Sequence, residues 1–113
     1  IFILKILRGR FLMKVNAAFI FIAPEADAKI HRTVVDTPAV SLTVIGVKDY
    51  EEAEAVAVEL ADQGVKALEL CAGFGNEGLA RISKAVKGKA AVGAVRFDFH
   101  PGFDFKSGDE LFK

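Results

Sequence analysis

Residues 40–71 read VSLTVIGVKDYEEAEAVAVELADQGVKALELC, and this stretch decides the fold. Residues 40–47 and 65–71 are apolar runs bounded by turn-forming residues, which is typical of buried strands. Between them, apolar side chains recur at the spacing of a helix that buries one face. A strand, a helix and a strand of these lengths predict a β-α-β unit with two parallel strands and a right-handed crossover.

The helix of this unit is the most clearly marked element. Asp49 can cap its first turn, and Glu52 three residues later completes a pattern like a capping box. Gly64 stands where a left-handed residue ends a helix. The predicted apolar face consists of Tyr50, Ala53, Val56, Ala57, Leu60 and Ala61.

Strands and helices continue to alternate on both sides of this unit. Residues 15–23 form an almost continuous apolar run, typical of a central strand in a covered parallel sheet. Residues 25–35 carry a weak helical stripe and predict a helix, which ends before Pro38. Beyond residue 71, the pattern predicts a helix over residues 75–88 and a strand over residues 90–97. The tail from Asp98 predicts an ordered loop with a short terminal turn.

These elements predict the α/β class, with a four-stranded, mainly parallel sheet, flanking helices and a flavodoxin-like open arrangement. The alternative is half of a β/α barrel that a second chain completes. The 113 residues suit one domain, which we assign to residues 13–113.

The first twelve residues, IFILKILRGRFL, are treated separately. The run is shorter than the roughly 20 residues of a spanning helix, and it carries charge, so no membrane segment is predicted. Its charges also do not precede the apolar stretch, as they would in a signal peptide. We interpret residues 1–12 as an extension that is not native and Met13 as the start. The alternative is an amphipathic arm that packs on a partner subunit.

Composition narrows the classes of function. Fifteen basic and fifteen acidic residues cancel and are mixed along the chain, which argues against a nucleic-acid-binding protein. The single cysteine cannot form a disulfide within the chain, and we expect a cytoplasmic protein. No feature of the sequence indicates a particular cofactor.

Two segments, CAGFG at residues 71–75 and RFDFHPG at residues 96–102, carry a family resemblance. With the neighbouring stretches, the chain from Met13 to about Phe112 resembles a family of small prokaryotic α/β proteins classed as a domain of unknown function. The resemblance implies an α/β domain and supports Met13 as the start, but it implies no chemistry.

Ligands of open parallel sheets bind beyond the carboxyl ends of the strands. Here that edge is predicted to carry residues 71–77 and 96–100. In the first loop, Gly73 and Gly75 allow backbone conformations closed to other residues and lead into a helix N-terminus, where Asn76 and Glu77 lie. Such amides suit an anion, although Glu77 would compete with it. No Lys-Ser/Thr pair follows, so this is not a Walker loop. The alternative is a tight strand-to-helix turn.

The second loop places three polar residues, Arg96, Asp98 and His100, at alternate positions. In an extended segment they would share one face. His100 could act as acid or base with Asp98 orienting it, Arg96 could hold an anionic substrate, and Cys71 could serve as nucleophile. The alternatives are a structural salt bridge of Arg96 and a buried, structural Cys71. Too few ligands are near for us to predict a metal site.

Three functions therefore remain open from the sequence. The first is a domain that binds a small molecule or anion through Gly73, Gly75, Asn76, Arg96 and His100. The second is a small enzyme that uses His100, Asp98, Arg96 and Cys71. The third is a structural oligomer without ligand, because open sheet edges and the extra phenylalanines near the C-terminus predict a homo-oligomer.

Overall fold

A single open sheet of five strands, in the order β2-β3-β1-β4-β5, organises the protein. The structure, a computed structural model, describes residues 14–113. The strands are β1 (Val15–Ile22), β2 (Arg32–Asp36), β3 (Val40–Val47), β4 (Ala67–Leu70) and β5 (Ala91–Ala94). The helices are α1 (Tyr50–Asp62), α2 (Asn76–Ala85) and α3 (Gly108–Leu111), with a 3₁₀ turn at Pro101–Phe103.

The predicted α/β class and mainly parallel open sheet are confirmed. β1 pairs in parallel with β3 on one side and with β4 on the other, and β5 pairs in parallel with β4. The sheet has five strands rather than the predicted four. The interpretation of residues 1–12 lies outside the described residues.

The additional strand is β2, and the helix predicted over residues 25–35 was wrong. β2 pairs with β3 in antiparallel orientation through a tight turn. In that turn the Thr37 hydroxyl accepts a hydrogen bond from the amide of Val40 at 3.0 Å. The branched residues Thr33, Val34 and Val35 favour an extended backbone, and this preference outweighed the weak helical stripe.

Helix α1 follows the prediction closely. The side chain of Asp49 accepts a hydrogen bond from the amide of Glu52 at 2.8 Å. Its last turn is followed by Gly64 in the left-handed region, with φ of 101°. The buried residues of the helix are the six that were predicted: Tyr50, Ala53, Val56, Ala57, Leu60 and Ala61.

The main core lies between the sheet and the two long helices. Within β1, Ala18, Ile20 and Ile22 are buried, and their register partners include Ile45 of β3 and Leu70 of β4. Both crossovers, through α1 and through α2, run in the same direction across the sheet, so right-handed connections put both helices on one face.

The opposite side of the sheet carries no helix of the described chain. We call it the open face. Its central residues are half-buried apolar side chains, namely Val15, Ala17, Phe19 and Phe21 of β1 and Val40, Leu42 and Val44 of β3. Val35 of β2 extends it at one edge through its pairing with Leu42. None of the helices formed by residues 14–113 is long and apolar enough to cross a bilayer.

The tail beyond β5 is an ordered loop that ends in a short helical turn, as predicted. Ser107 and Glu110 form a complete capping box at the start of α3. Phe112 is only 8% exposed and joins the main core, and its carbonyl oxygen accepts a hydrogen bond from the amide of Tyr50 at 3.4 Å. The tail therefore returns to the start of α1.

Candidate functional site

The carboxyl ends of β1, β3, β4 and β5 meet at one edge of the sheet because these strands are parallel. The loops after β4 and β5, residues 71–75 and 95–100, lie at this edge as predicted. The tail packs against the same edge, since Phe112 and Phe103 join the core residues there. The C-terminal segment thus covers the loop after β4, whereas residues 97–99 of the loop after β5 stay exposed.

The loop after β4 is a buried tight turn. The amide of Phe74 donates to the carbonyl oxygen of Cys71 at 3.1 Å, and the fully buried Phe74 ring stacks on Tyr50 with ring centroids 5.6 Å apart. Gly73 and Gly75 have no left-handed backbone, which corrects the predicted reason for these glycines. They are needed for space, because a Cβ at Gly73 would lie 2.5 Å from Ile22 and one at Gly75 would overlap a carboxylate of the tail.

That carboxylate belongs to Asp109, and it binds the start of helix α2. Its oxygens accept hydrogen bonds from the amides of Glu77 at 3.0 Å and Gly78 at 3.2 Å. The Tyr50 hydroxyl donates to Asp109 at 2.8 Å and accepts from the amide of Gly75 at 2.9 Å. An anion of the chain itself therefore occupies the start of this helix, while the predicted amides of Gly73 and Gly75 donate to the Cys71 sulfur and the Tyr50 hydroxyl.

Sequence reasoning missed both Tyr50 and Asp109 as parts of this loop. The Glu77 side chain, expected to compete for the helix end, instead forms an ion pair with Lys113 at 3.0 Å. The Ser-x-x-Glu pattern of residues 107–110 was the available signal for a helix in the tail. It does not reveal which helix start the tail reaches.

Burial and hydrogen bonding shift the pKa values of Tyr50 and Asp109 in opposite directions. For Asp109, burial favours the neutral acid and by itself would raise the pKa. The pKa is nevertheless held below its usual value by hydrogen bonds from the Glu77 amide, the Tyr50 hydroxyl and the Gly78 amide. The nearby positive charge of Arg96 acts in the same direction. Burial raises the pKa of Tyr50 far above its ordinary value, and the negative charge of Asp109 adds to the rise. The pair is thus a neutral phenol bound to a carboxylate near neutral pH.

This pair predicts an unusual alkaline titration. Tyr50 is the only tyrosine and the chain has no tryptophan, so phenolate absorbance reports this residue alone. We expect no phenolate in the folded protein at the ordinary tyrosine pKa of about 10, because ionisation would place two negative charges together. Since the folded pKa is raised, the pair stabilises the fold below pH 10, and that contribution is lost as pH rises further. A chain unfolded in guanidinium should titrate near 10, and a folded protein that does the same would contradict the prediction.

Arg96 is the best connected of the predicted polar residues. Its Nε donates to the side-chain oxygen of Asn76 at 2.6 Å, and its Nη2 lies 3.8 Å from a carboxylate oxygen of Asp98. Its Nη1 is buried and has no hydrogen-bond partner within the part of the chain that the structure describes. The residue thus joins the loop after β5 to the start of α2.

His100 and Cys71 each have local partners. The Nδ1 of His100 accepts a hydrogen bond from the amide of Gly102 at 2.9 Å, and the ring stacks on Phe103 at 4.1 Å. The sulfur of Cys71 accepts from the amides of Ile22 at 3.4 Å and Gly73 at 3.3 Å.

The predicted catalytic group is not connected by hydrogen bonds. Over residues 14–113, no hydrogen bond joins His100 to Asp98 or to Cys71. Asp98 is 88% exposed, and the segment that carries it lies beyond the end of β5. The same described residues contain no group of three potential metal ligands.

An open cleft lies beside this rim, at the ends of β1 and β3. Its volume is about 580 Å³. The lining residues are Pro24, Lys48, Gly102, Phe103, Asp104, Lys106, Leu111 and Phe112. Because Phe103 stacks on His100, the cleft adjoins the loop that was predicted from the sequence.

Comparison with known proteins agrees with the expected domain family. No curated protein and no solved structure matches the chain. Residues 15–110 match the group described as "Family of unknown function (DUF6506)", from the first residue of β1 into α3. The matched region contains the sheet, both long helices and Asp109, and the chain therefore belongs to the DUF6506 family.

Proposed function

We propose that the protein is a binding domain for a small anionic molecule, held in the cleft at the carboxyl edge of the sheet. The observation that carries this proposal is the cleft itself, where two lysines flank an apolar floor beyond the ends of β1 and β3. We also infer a cytoplasmic location, which is supported by the single, free Cys71.

The lining of the cleft favours a ligand with one charged end and an apolar body. Lys48 and Lys106 supply positive charge against the single carboxylate of Asp104. Phe103 and Leu111 supply an apolar surface, of which Leu111 is 47% exposed. Pockets of a few hundred cubic ångströms with an apolar lining and few polar groups are typical of small-molecule sites. A carboxylate on a short hydrocarbon chain fits this description.

The cleft is favoured over the start of helix α2 as the place for such a ligand. At that helix, Asp109 already binds the amides of Glu77 and Gly78. A second anion would have to displace this carboxylate and leave the Tyr50 hydroxyl without its acceptor. In the cleft, no hydrogen bond within residues 14–113 engages the ammonium groups of Lys48 and Lys106.

Octanoate is a suitable first probe, with octanol as its neutral counterpart. We expect octanoate to raise the melting temperature of the full chain in a concentration-dependent way, because a ligand of the native state stabilises it by about 2.7 kcal/mol at 100 times its Kd. Octanol, which lacks the charge, should raise it much less.

The variant Lys48→Ala/Lys106→Ala should lose most of the octanoate effect. A matched control is Lys66→Ala/Lys87→Ala. Lys66 lies just before β4 and Lys87 just after α2, and neither lysine lines the cleft. Equal stabilisation of both double variants by octanoate, or equal stabilisation by octanoate and octanol, would contradict an anion site in this cleft.

A further inference from the structure

We propose that the open face of the sheet is the interface of a homodimer, in which two copies pack sheet against sheet. Mainly parallel sheets are almost always covered on both faces, because their strands are apolar on both sides. Here Phe19, Phe21 and Leu42 are only half-buried, and no helix of the described residues lies over them. A contiguous apolar surface of this kind marks an interaction site.

The open face has the size and composition of a protein interface. Five strands spaced about 4.8 Å apart, the longest about 26 Å in length, form a face of roughly 500 Å² in projection. Allowing for the relief of the side chains, this is of the order of the 800 Å² that each partner contributes to a standard interface. By register, Glu69 is the only charged strand residue that shares this face with Phe19 and Val44. Depletion of charge is the compositional mark of an interface core.

A second copy is favoured as the occupant because an identical apolar face of this area supplies the partner surface that a standard interface needs. On the β2 side of β1, a groove of about 350 Å³ is lined by Phe21, Ile30, His31, Arg32, Thr33 and Val44. On the β5 side, a groove of about 190 Å³ is lined by Phe19, Glu69, Leu70, Gly93, Ala94 and Val95. Arg32 borders the first groove, but its pairing with Ile45 places its side chain on the helix side of the sheet, so the first groove offers the open face a mainly apolar surface.

A two-fold axis that runs along β1 brings these grooves together. Such a rotation exchanges the two sides of the sheet and keeps each residue at its level along the strands. Both grooves lie toward the carboxyl ends, since Phe19 pairs with Val44 on one side and with Glu69 on the other. Glu69 of each copy then faces the β2 side of the other copy, at the level of Thr33, and β1 packs on β1. The two Glu69 carboxylates stay apart.

The first test is the oligomeric state of the full chain, measured by sedimentation equilibrium. We expect a species of twice the chain mass for the wild type and for Val34→Lys, which adds a charge at an exposed position of β2 off the open face. Phe19→Lys should be monomeric, with circular dichroism confirming that it is folded. A monomeric wild type, or a Phe19→Lys dimer as tight as the control, would overturn the proposal.

A chain that begins at Met13 identifies the competing occupant. If residues 1–12 cover the open face, the full chain will be monomeric and the shortened chain will associate, which overturns the proposal. If the second copy covers it, both chains will form the dimer.

Discussion

Gly108→Ala is expected to separate the C-terminal helix from the rest of the protein. A Cβ at this position would overlap the carbonyl oxygen of Gly73 and come within 3.0 Å of the amide nitrogen of Gly75. Both neighbours are backbone atoms of a buried turn, so neither can rotate away as a side chain could. The cost should reach or exceed the upper end of the roughly 1–3 kcal/mol that overpacking of a core typically costs.

The change should lower the urea midpoint and expose the tail to proteases, since Phe112 would leave the core with α3. Gly93→Ala is the matched control, because a Cβ at Gly93 meets nothing within 4 Å. It should change the free energy of unfolding by less than about 1 kcal/mol. A Gly108→Ala protein as stable and as protease-resistant as this control would show that the tail is not packed against the turn.

Asp109→Ala should cost about 2–4 kcal/mol of unfolding free energy, judged from the loss of a helix cap and of a hydrogen bond from a hydroxyl to a charged group. The amides of Glu77 and Gly78 would lose their acceptor. The buried hydroxyl of Tyr50 would lose its hydrogen-bond acceptor as well. Urea unfolding at pH 7 measures the loss.

Acid should remove the same contribution from the wild type. The folded pKa of Asp109 is lowered, so its stabilisation is present above the ordinary carboxyl pKa near 4 and is lost as pH falls through the lower folded value. The stability difference between the wild type and Asp109→Asn should therefore shrink between pH 5 and pH 2. Asp104→Asn is the control at pH 7, because asparagine tolerates the left-handed backbone of this exposed position. If Asp104→Asn lowered the free energy of unfolding as much as Asp109→Ala does, the bond of Asp109 to the start of α2 would not be what stabilises the fold.

Local patterns predicted the parts of the fold that depend on local physics. The cap at Asp49, the apolar face of α1 and the parallel strands could be predicted because periodicity and capping lie within one short segment. The secondary structure of the segment before β3 could not be predicted, because a helical stripe and a β-branched run overlap between residues 30 and 35. Pairing with β3, a contact outside that segment, decided between them.

The position of the candidate site could be predicted from the sequence, but the residues that form it could not. Parallel topology alone put the loops of Cys71 and Arg96 at one edge of the sheet. The partner of the α2 amides is separated from Glu77 by 32 residues, and no local pattern links Asp109 to them. Tyr50 was predicted as a core residue from its spacing, which carries no information about the hydrogen bonds of its hydroxyl.

The bond between Asp109 and the start of α2 also bears on how the protein is made. Synthesis runs from the N-terminus, and the sheet is complete once β5 has left the ribosome. At that moment the first turn of α2 has no acceptor for its amides, and the core lacks Phe112. The nascent chain therefore reaches its stable form only after the residues around Asp109 have emerged. Until then the turn around Phe74 lacks the cover of the tail.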